Sequence, residues 1–292
     1  MQSIIGLSLT PNVNAWLANS RQPRVLHVFE HACNLINERK DVFSVVIREI
    51  GNGPFNLVVE DAVVFSDHLS LESPIFNSPN LLNLGDLTIH THYARLWSPR
   101  PDWEILHAKR NDISKSLLTN YQKPGVDTGF GKIAQPYLTS IADPQLAIPN
   151  SQSTHSLASA LANADLPAAL NATQKLAGLG IGLTPSGDDF IMGAILAAWI
   201  IHPVDVVGII AAEVTEAAAA VTTSLSGALL RSAGRGDAGI LWHQFFDALL
   251  FAEQADIQES MDKILSIGET SGADALLGFL SLLAAWSVEA RT

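Results

Sequence analysis

"GLGIGLTPSGDDFIMGAILAAWII", residues 178–201, runs a glycine-rich turn straight into an unbroken apolar segment. The apolar segment has the length and the Ala, Leu and Ile content of a buried helix. Ser186-x-x-Asp189 at its head has the spacing of a capping box, in which hydroxyl and carboxylate each satisfy an orphan backbone N–H. An acid in a first helical turn also suits the helix dipole. Capping explains neither Gly178, Gly180 and Gly182 nor the second acid, Asp188. Glycines ahead of a helix start let N–H groups surround an anion, yet Asp188 and Asp189 repel one unless a cation bridges them. The stretch therefore predicts one of two sites. One is a metal-assisted phosphate site, with Asp188 as the metal ligand and Mg²⁺ as the suited ion. The other is a carboxylate that accepts from the amide N–H of a neutral group.

A weaker copy follows near the C-terminus. "GLTPSGDDFIMGAIL" (182–196) aligns with "GETSGADALLGFL" (268–280) when Pro185 is skipped. Gly182, Thr184, Ser186, Gly187, Asp189 and Gly193 then match Gly268, Thr270, Ser271, Gly272, Asp274 and Gly278. The expectation is that both Ser-Gly-x-Asp turns face one pocket and that their helices cross near Gly193 and Gly278. Asp189 is expected to close the capping box and to leave Asp188 facing ligand or metal. Between the copies, "TTSLSGALLRSAGRGD" (222–237) carries Arg231 and Arg235 in a half with few cations. Each reads equally as a complement to a helix C-terminus or as a forked donor to carboxylate or phosphate.

Upstream the periodicity changes. "DVFSVVIREI", "FNLVVEDAVVFS" and the alternating "GDLTIHTHYARLW" read as strands, with a turn at "GNGP". Val25, Phe29, Cys33 and Ile36 have helical spacing and predict one amphipathic helix there. His90 and His92 share a strand face and are read as solvated rather than metal-bound. The prolines of "SPRPDW" mark a boundary, after which "DWEILHAKRNDISKSLLTNY" turns helical, followed by a Gly-, Pro- and Asp-rich loop to about residue 150. "DTGFGK" (127–132) lacks the spacing of a nucleotide-binding loop. The fold class expected is α+β: a β-rich domain over 1–101, then a larger, mainly helical domain over 102–292.

The chain of 292 residues has a formal net charge of −12. Residues 1–150 hold 12 Lys/Arg against 14 Asp/Glu, and 151–292 hold 5 against 15. That balance argues against nucleic acid or an anionic membrane as partner. One cysteine, no signal-peptide pattern and no apolar run of about 20 residues predict a soluble, cytoplasmic protein.

The blocks "GLGIGLTPSGDDFIMGAIL", "TTSLSGALLRSAGRG" and "ILSIGETSGADALLGFL" together resemble the AllH family, over roughly residues 170–285. Its members include a subunit of oxamate carbamoyltransferase, an enzyme of anaerobic allantoin breakdown, a purine-degradation route. This chain departs from the family pattern at Ile181, where Pro is usual, and at Glu269 and Ala273, where His and Trp are usual. The resemblance implies a cytoplasmic subunit of a carbamoyl-transferring enzyme with other subunits as partners, and a homo-oligomer is compatible with it. Oxalurate and phosphate would give oxamate and carbamoyl phosphate. On that reading Asp188, Asp189 and Asp274 are the catalytic candidates. Gly180, Gly182, Thr184, Ser186, Gly187, Arg231, Arg235, Thr270, Ser271 and Gly272 are the candidates for binding a small anionic substrate. The rivals are a non-catalytic scaffold subunit and a carboxylase-type or amide-metabolising enzyme.

Overall fold

The computed structural model describes residues 2–60, 63–121 and 151–289. The expected loop to residue 150, with "DTGFGK", lies outside them. The chain divides into two compact units, Met1–Pro99 and Arg100–Thr292.

The first unit is built on a sheet of β1 (Gln2–Leu9), β2 (Arg24–Val28), β3 (Ala32–Ile36), β4 (Val42–Ile47), β5 (Asn56–Val59), β6 (Ile75–Ser78), β7 (Leu81–Leu84), β8 (Leu87–His90) and β9 (Arg95–Leu96). Its order is β2-β3-β4-β5-β1-β8-β7-β6, and β9 pairs with β1. β4 is buried along its whole length, as expected of a strand covered on both faces. Helix α1 (Pro11–Asn19) starts where Thr10 accepts from Val13 N–H, with proline in its first turn. It buries Val13, Trp16 and Leu17, and the Trp16 ring lies 4.9 Å from that of Phe43. A one-turn helix, α2 (Phe65–His68), completes the unit.

The helix expected from Val25 to Ile36 is not formed. β2 and β3 make an antiparallel hairpin there, with Val25 opposite Leu35 and Val28 opposite Cys33. The three-to-four spacing is accidental, because Phe29 sits in the turn and is half exposed. β4 supplies every residue of β3 with a cross-strand partner, and tertiary pairing overrides local spacing. The alternation read along "LTIHTHY" also stops early. Leu87, Ile89 and Thr91 are buried, but Tyr93 is 80% exposed beyond the end of β8.

The second unit is helical: α3 (Trp103–Ala108), α4 (Arg110–Tyr121), α5 (Ser151–Ala162), α6 (Leu166–Leu176), α7 (Ser186–Ile201), α8 (Val204–Ala219), α9 (Ser224–Gly234), α10 (Ile240–Phe251), α11 (Gln254–Leu265) and α12 (Ser271–Glu289). The β-rich region followed by a mainly helical one is the expected fold class. α7 is buried on all sides from Gly187 to Ile201 apart from Met192, the signature of a helix at the centre of a bundle. Among the described residues no helix is long and apolar enough to cross a membrane. Trp242, Phe245, Phe246 and Phe279 form an aromatic cluster with ring centroids 5.5–6.1 Å apart.

α7 and α12 meet where the sequence places glycine. A Cβ on Gly193 would fall 1.7 Å from the Ala275 carbonyl oxygen, and one on Gly278 would fall 2.0 Å from that of Phe190. The start of each helix is equally tight. A Cβ on Gly187 would meet Leu176 O at 2.0 Å, and one on Gly272 would meet Ile264 O at 1.8 Å. Each copy of the motif is thus a helix, a turn and a second helix, α6–α7 and α11–α12. Within each copy the preceding helix end packs on the Ser-Gly glycine.

Candidate active site at the paired turns

The first turn bends through Gly178, Gly180 and Gly182, all at positive φ (73°, 122° and 93°). At Gly180 a side chain would also strike the Ser186 nitrogen at 2.6 Å. Pro185 is the N-cap of α7 and contributes no side-chain cap bond. Its carbonyl accepts from both Asp188 and Asp189 N–H. The expected capping box at Ser186 and Asp189 is therefore absent: the helix begins one residue earlier than that box requires, with Ser186 already inside it.

Neither acid takes the place expected of it: Asp189 closes no capping box, and Asp188 is held by the chain itself. Asp188 is 1% exposed and its carboxylate is surrounded by donors from the chain. Oδ1 accepts from Gly178 N–H at 2.8 Å. Oδ2 accepts from the hydroxyl of Ser226 at 2.7 Å and from that of Thr222. Thr223 adds a fourth tie, donating to the Leu183 carbonyl at 2.5 Å while accepting from Ser226 N–H. Asp188 thus fastens the glycine turn to the start of α9. Mg²⁺ at Asp188 would have to displace donors from both oxygens, so these residues do not fit the ion. Among the described residues no cluster of three or more His, Cys, Asp or Glu is placed to hold a metal.

Asp189 points into the space between the copies. Thr184 and Ser271 hydrogen-bond to each other across the repeats at 2.8 Å, and both reach the Asp189 carboxyl. Asp189 is 3% exposed, and its Oδ2 and that of Asp274 are buried without a hydrogen-bond partner. Burial first, with the charges of Asp274 and Asp188 behind it, raises the Asp189 carboxyl against the opposing hydroxyls of Ser271 and Thr184, to about 7 in all.

The structure brings together Thr184, Asp189, Ser271 and Asp274, with Gly187 and Gly272 at the helix starts beneath them. Gly180 and Gly182 form the exposed turn, and Thr270 is exposed in the second one. Two backbone donors expected for an anion are already engaged: Gly178 N–H by Asp188 and Gly187 N–H by Leu179 O. Neither arginine is presented as an open fork. Arg231 grips Glu216 with two bonds of 2.7 and 2.8 Å, and Arg235 contacts Asp237 and Ser232. Both lie towards the far end of α9 from the residues that touch the turn. The sequence reading missed Thr222, Thr223 and Ser226 as parts of the assembly. Their signal was visible as a run of hydroxyls just before an apolar helix.

A β-rich unit followed in the chain by a helical unit, in which paired helix–turn–helix copies bring Asp189 and Asp274 together, defines the class of protein. Family models match both units. One, described as the AllH family N-terminal domain, matches residues 6–96; the other, oxamate carbamoyltransferase subunit AllH, matches residues 176–283. The chain belongs to the AllH family. No solved structure matches it. The departures at Ile181 and Glu269 are both on exposed turn positions, Ile181 being 96% exposed.

Proposed function

We propose that the chain is a subunit of an oxamate carbamoyltransferase-type enzyme and that the paired turns handle its substrate. The observation that carries this reading is the Asp189 carboxyl, buried between the copies and poised near neutrality beside Asp274. In the reaction implied by the family, a phosphate oxygen bonds to the carbamoyl carbon of oxalurate as the bond from that carbon to the oxamate nitrogen breaks. The leaving nitrogen must gain a proton, and phosphate must lose one. A carboxyl with a pKa near the working pH suits both transfers. Protonated Asp189 donates to the departing oxamate nitrogen, and the resulting carboxylate takes the proton released by phosphate. The Thr184 and Ser271 hydroxyls orient the carboxyl, and burial, helped by the charge of Asp274, keeps its proton affinity high.

The N–H groups of Gly180 and Gly182 are the proposed donors to the substrate's anionic end, because those of Gly178 and Gly187 are occupied. Other subunits of the complex supply the cationic groups that two anionic substrates require. The test is Asp189→Asn in the reconstituted complex. Turnover should fall by about a hundredfold or more, the scale of a lost general acid, with melting temperature retained. Turnover equal to wild type would return the site to the scaffold reading.

A further inference from the structure

The first unit holds a cavity of about 650 Å³ that the paired turns do not touch. Its origin is a break in the sheet. β1 pairs in parallel with β8 as far as Ile5 opposite His90, and resumes with β9 at Ser8 opposite Arg95. Two residues of β1, Gly6 and Leu7, therefore face four of the other segment, Thr91–Ala94, which closes into a turn through Ala94 N–H to Thr91 O. β1 also shifts register against β5 between Gly6 and Ser8. Bulges of this kind splay a ladder and re-aim its side chains.

The opening has a definite chemistry. Arg48 and Arg95 line it, and among the described residues no acidic one does, although the unit as a whole is not basic. Ser8 donates to Asn52 at 2.6 Å on its wall. Tyr93, Leu96 and Ile5 are 80%, 68% and 47% exposed around it, and Trp97 adds a second aromatic ring. Guanidinium forks match planar or tetrahedral oxyanions, while exposed rings and aliphatic groups at one cavity mark a binding surface. We propose that this cavity binds a small organic anion with a flat apolar body. Its phosphate or carboxylate lies on Arg48 and Arg95, and its body lies against Tyr93, Trp97 and Leu96. The proposal is independent of the paired-turn reading.

Calorimetric titration of the full chain with adenosine 5′-monophosphate, benzoate and inorganic phosphate tests it. Saturable binding of the nucleotide identifies a phosphate head, and of benzoate a carboxylate head. Arg95→Ala should weaken that binding by about tenfold or more, as loss of a charge-assisted fork does. Tyr93→Ala should weaken it without changing the affinity for inorganic phosphate. Both side chains are exposed, so an unchanged melting temperature confirms the fold of each variant. The proposal is overturned if neither organic anion binds below a Kd on the order of 10 mM. Equal affinity for inorganic phosphate, or binding that survives the Arg48→Ala/Arg95→Ala pair, overturns it as well.

Discussion

The two copies of the repeat share their helix contacts and differ in how their turns are held. In both, a glycine beside the serine packs on the preceding helix end, and a second glycine six residues later lets the two long helices touch. The first turn is then fastened from beneath by Asp188, which ties it to Thr222 and Ser226. The second has Ala273 in the corresponding place, and Gly268, Glu269 and Thr270 stand exposed. The difference separates two uses of an acid in one motif. Asp188 ties down the turn of the first copy, whereas Asp189 and Asp274, common to both copies, come together between them.

The shared contact is the most severe place to break the pair. Gly193→Ala or Gly278→Ala drives a methyl into a carbonyl oxygen, with both partners held in helix backbone. Either should destabilise the chain by more than about 3 kcal/mol, the upper part of the overpacking range. Chemical denaturation of each variant measures it. An Ala variant at either position that melts like wild type would separate the helices and dissolve the repeat.

Asp188→Ala comes next, since it strands one backbone and two hydroxyl donors in a buried place. A loss of about 2–3 kcal/mol is expected, the scale for hydrogen bonds to a charged group. Ala273→Asp in the second copy should give no matching gain, because the Thr222 and Ser226 hydroxyls that hold the acid of the first copy are already bonded to Asp188. Equal, small effects at 188 and 273 would erase the difference between the turns.

Asp189 sharpens the comparison through pH. Its folded pKa, about 7, lies well above the ordinary aspartate value of 3.8, so the folded state binds the proton more tightly. Its contribution to stability is thus full below the unfolded pKa and is lost as pH rises to about 7, at up to about 1.4 kcal/mol per pH unit between the two values. Asp189→Asn should flatten that fall in denaturation curves taken from pH 4 to 8. An unchanged slope in the variant would assign the titration elsewhere.

The smallest effects concern glycines outside the contacts. Gly182→Ala meets no atom within 4 Å but inherits a φ of +93°, so a cost of about 1 kcal/mol is expected from backbone alone. Gly208→Ala, mid-helix in α8 with only Trp199 nearby at 3.9 Å, should stabilise by about 0.5–1 kcal/mol. Thermal melts that rank the two in the opposite order would show that turn backbone is unstrained.

The amino-acid sequence by itself determined the β-to-α change near Pro99, the internal repeat and the crossing at Gly193 and Gly278. Each of these is written in local periodicity or in residues whose missing side chain has one steric meaning. It also named Asp189, Ser271 and Asp274 together, through the alignment of the copies. The tertiary structure alone decided which neighbouring acid is structural. Asp188 and Asp189 stand about 100° apart on one helix, and nothing local reveals that Thr222 and Ser226 will arrive beneath one of them. It likewise decided that residues 25–36 form a hairpin, because β4 offers β3 a full ladder of partners that no local spacing can announce.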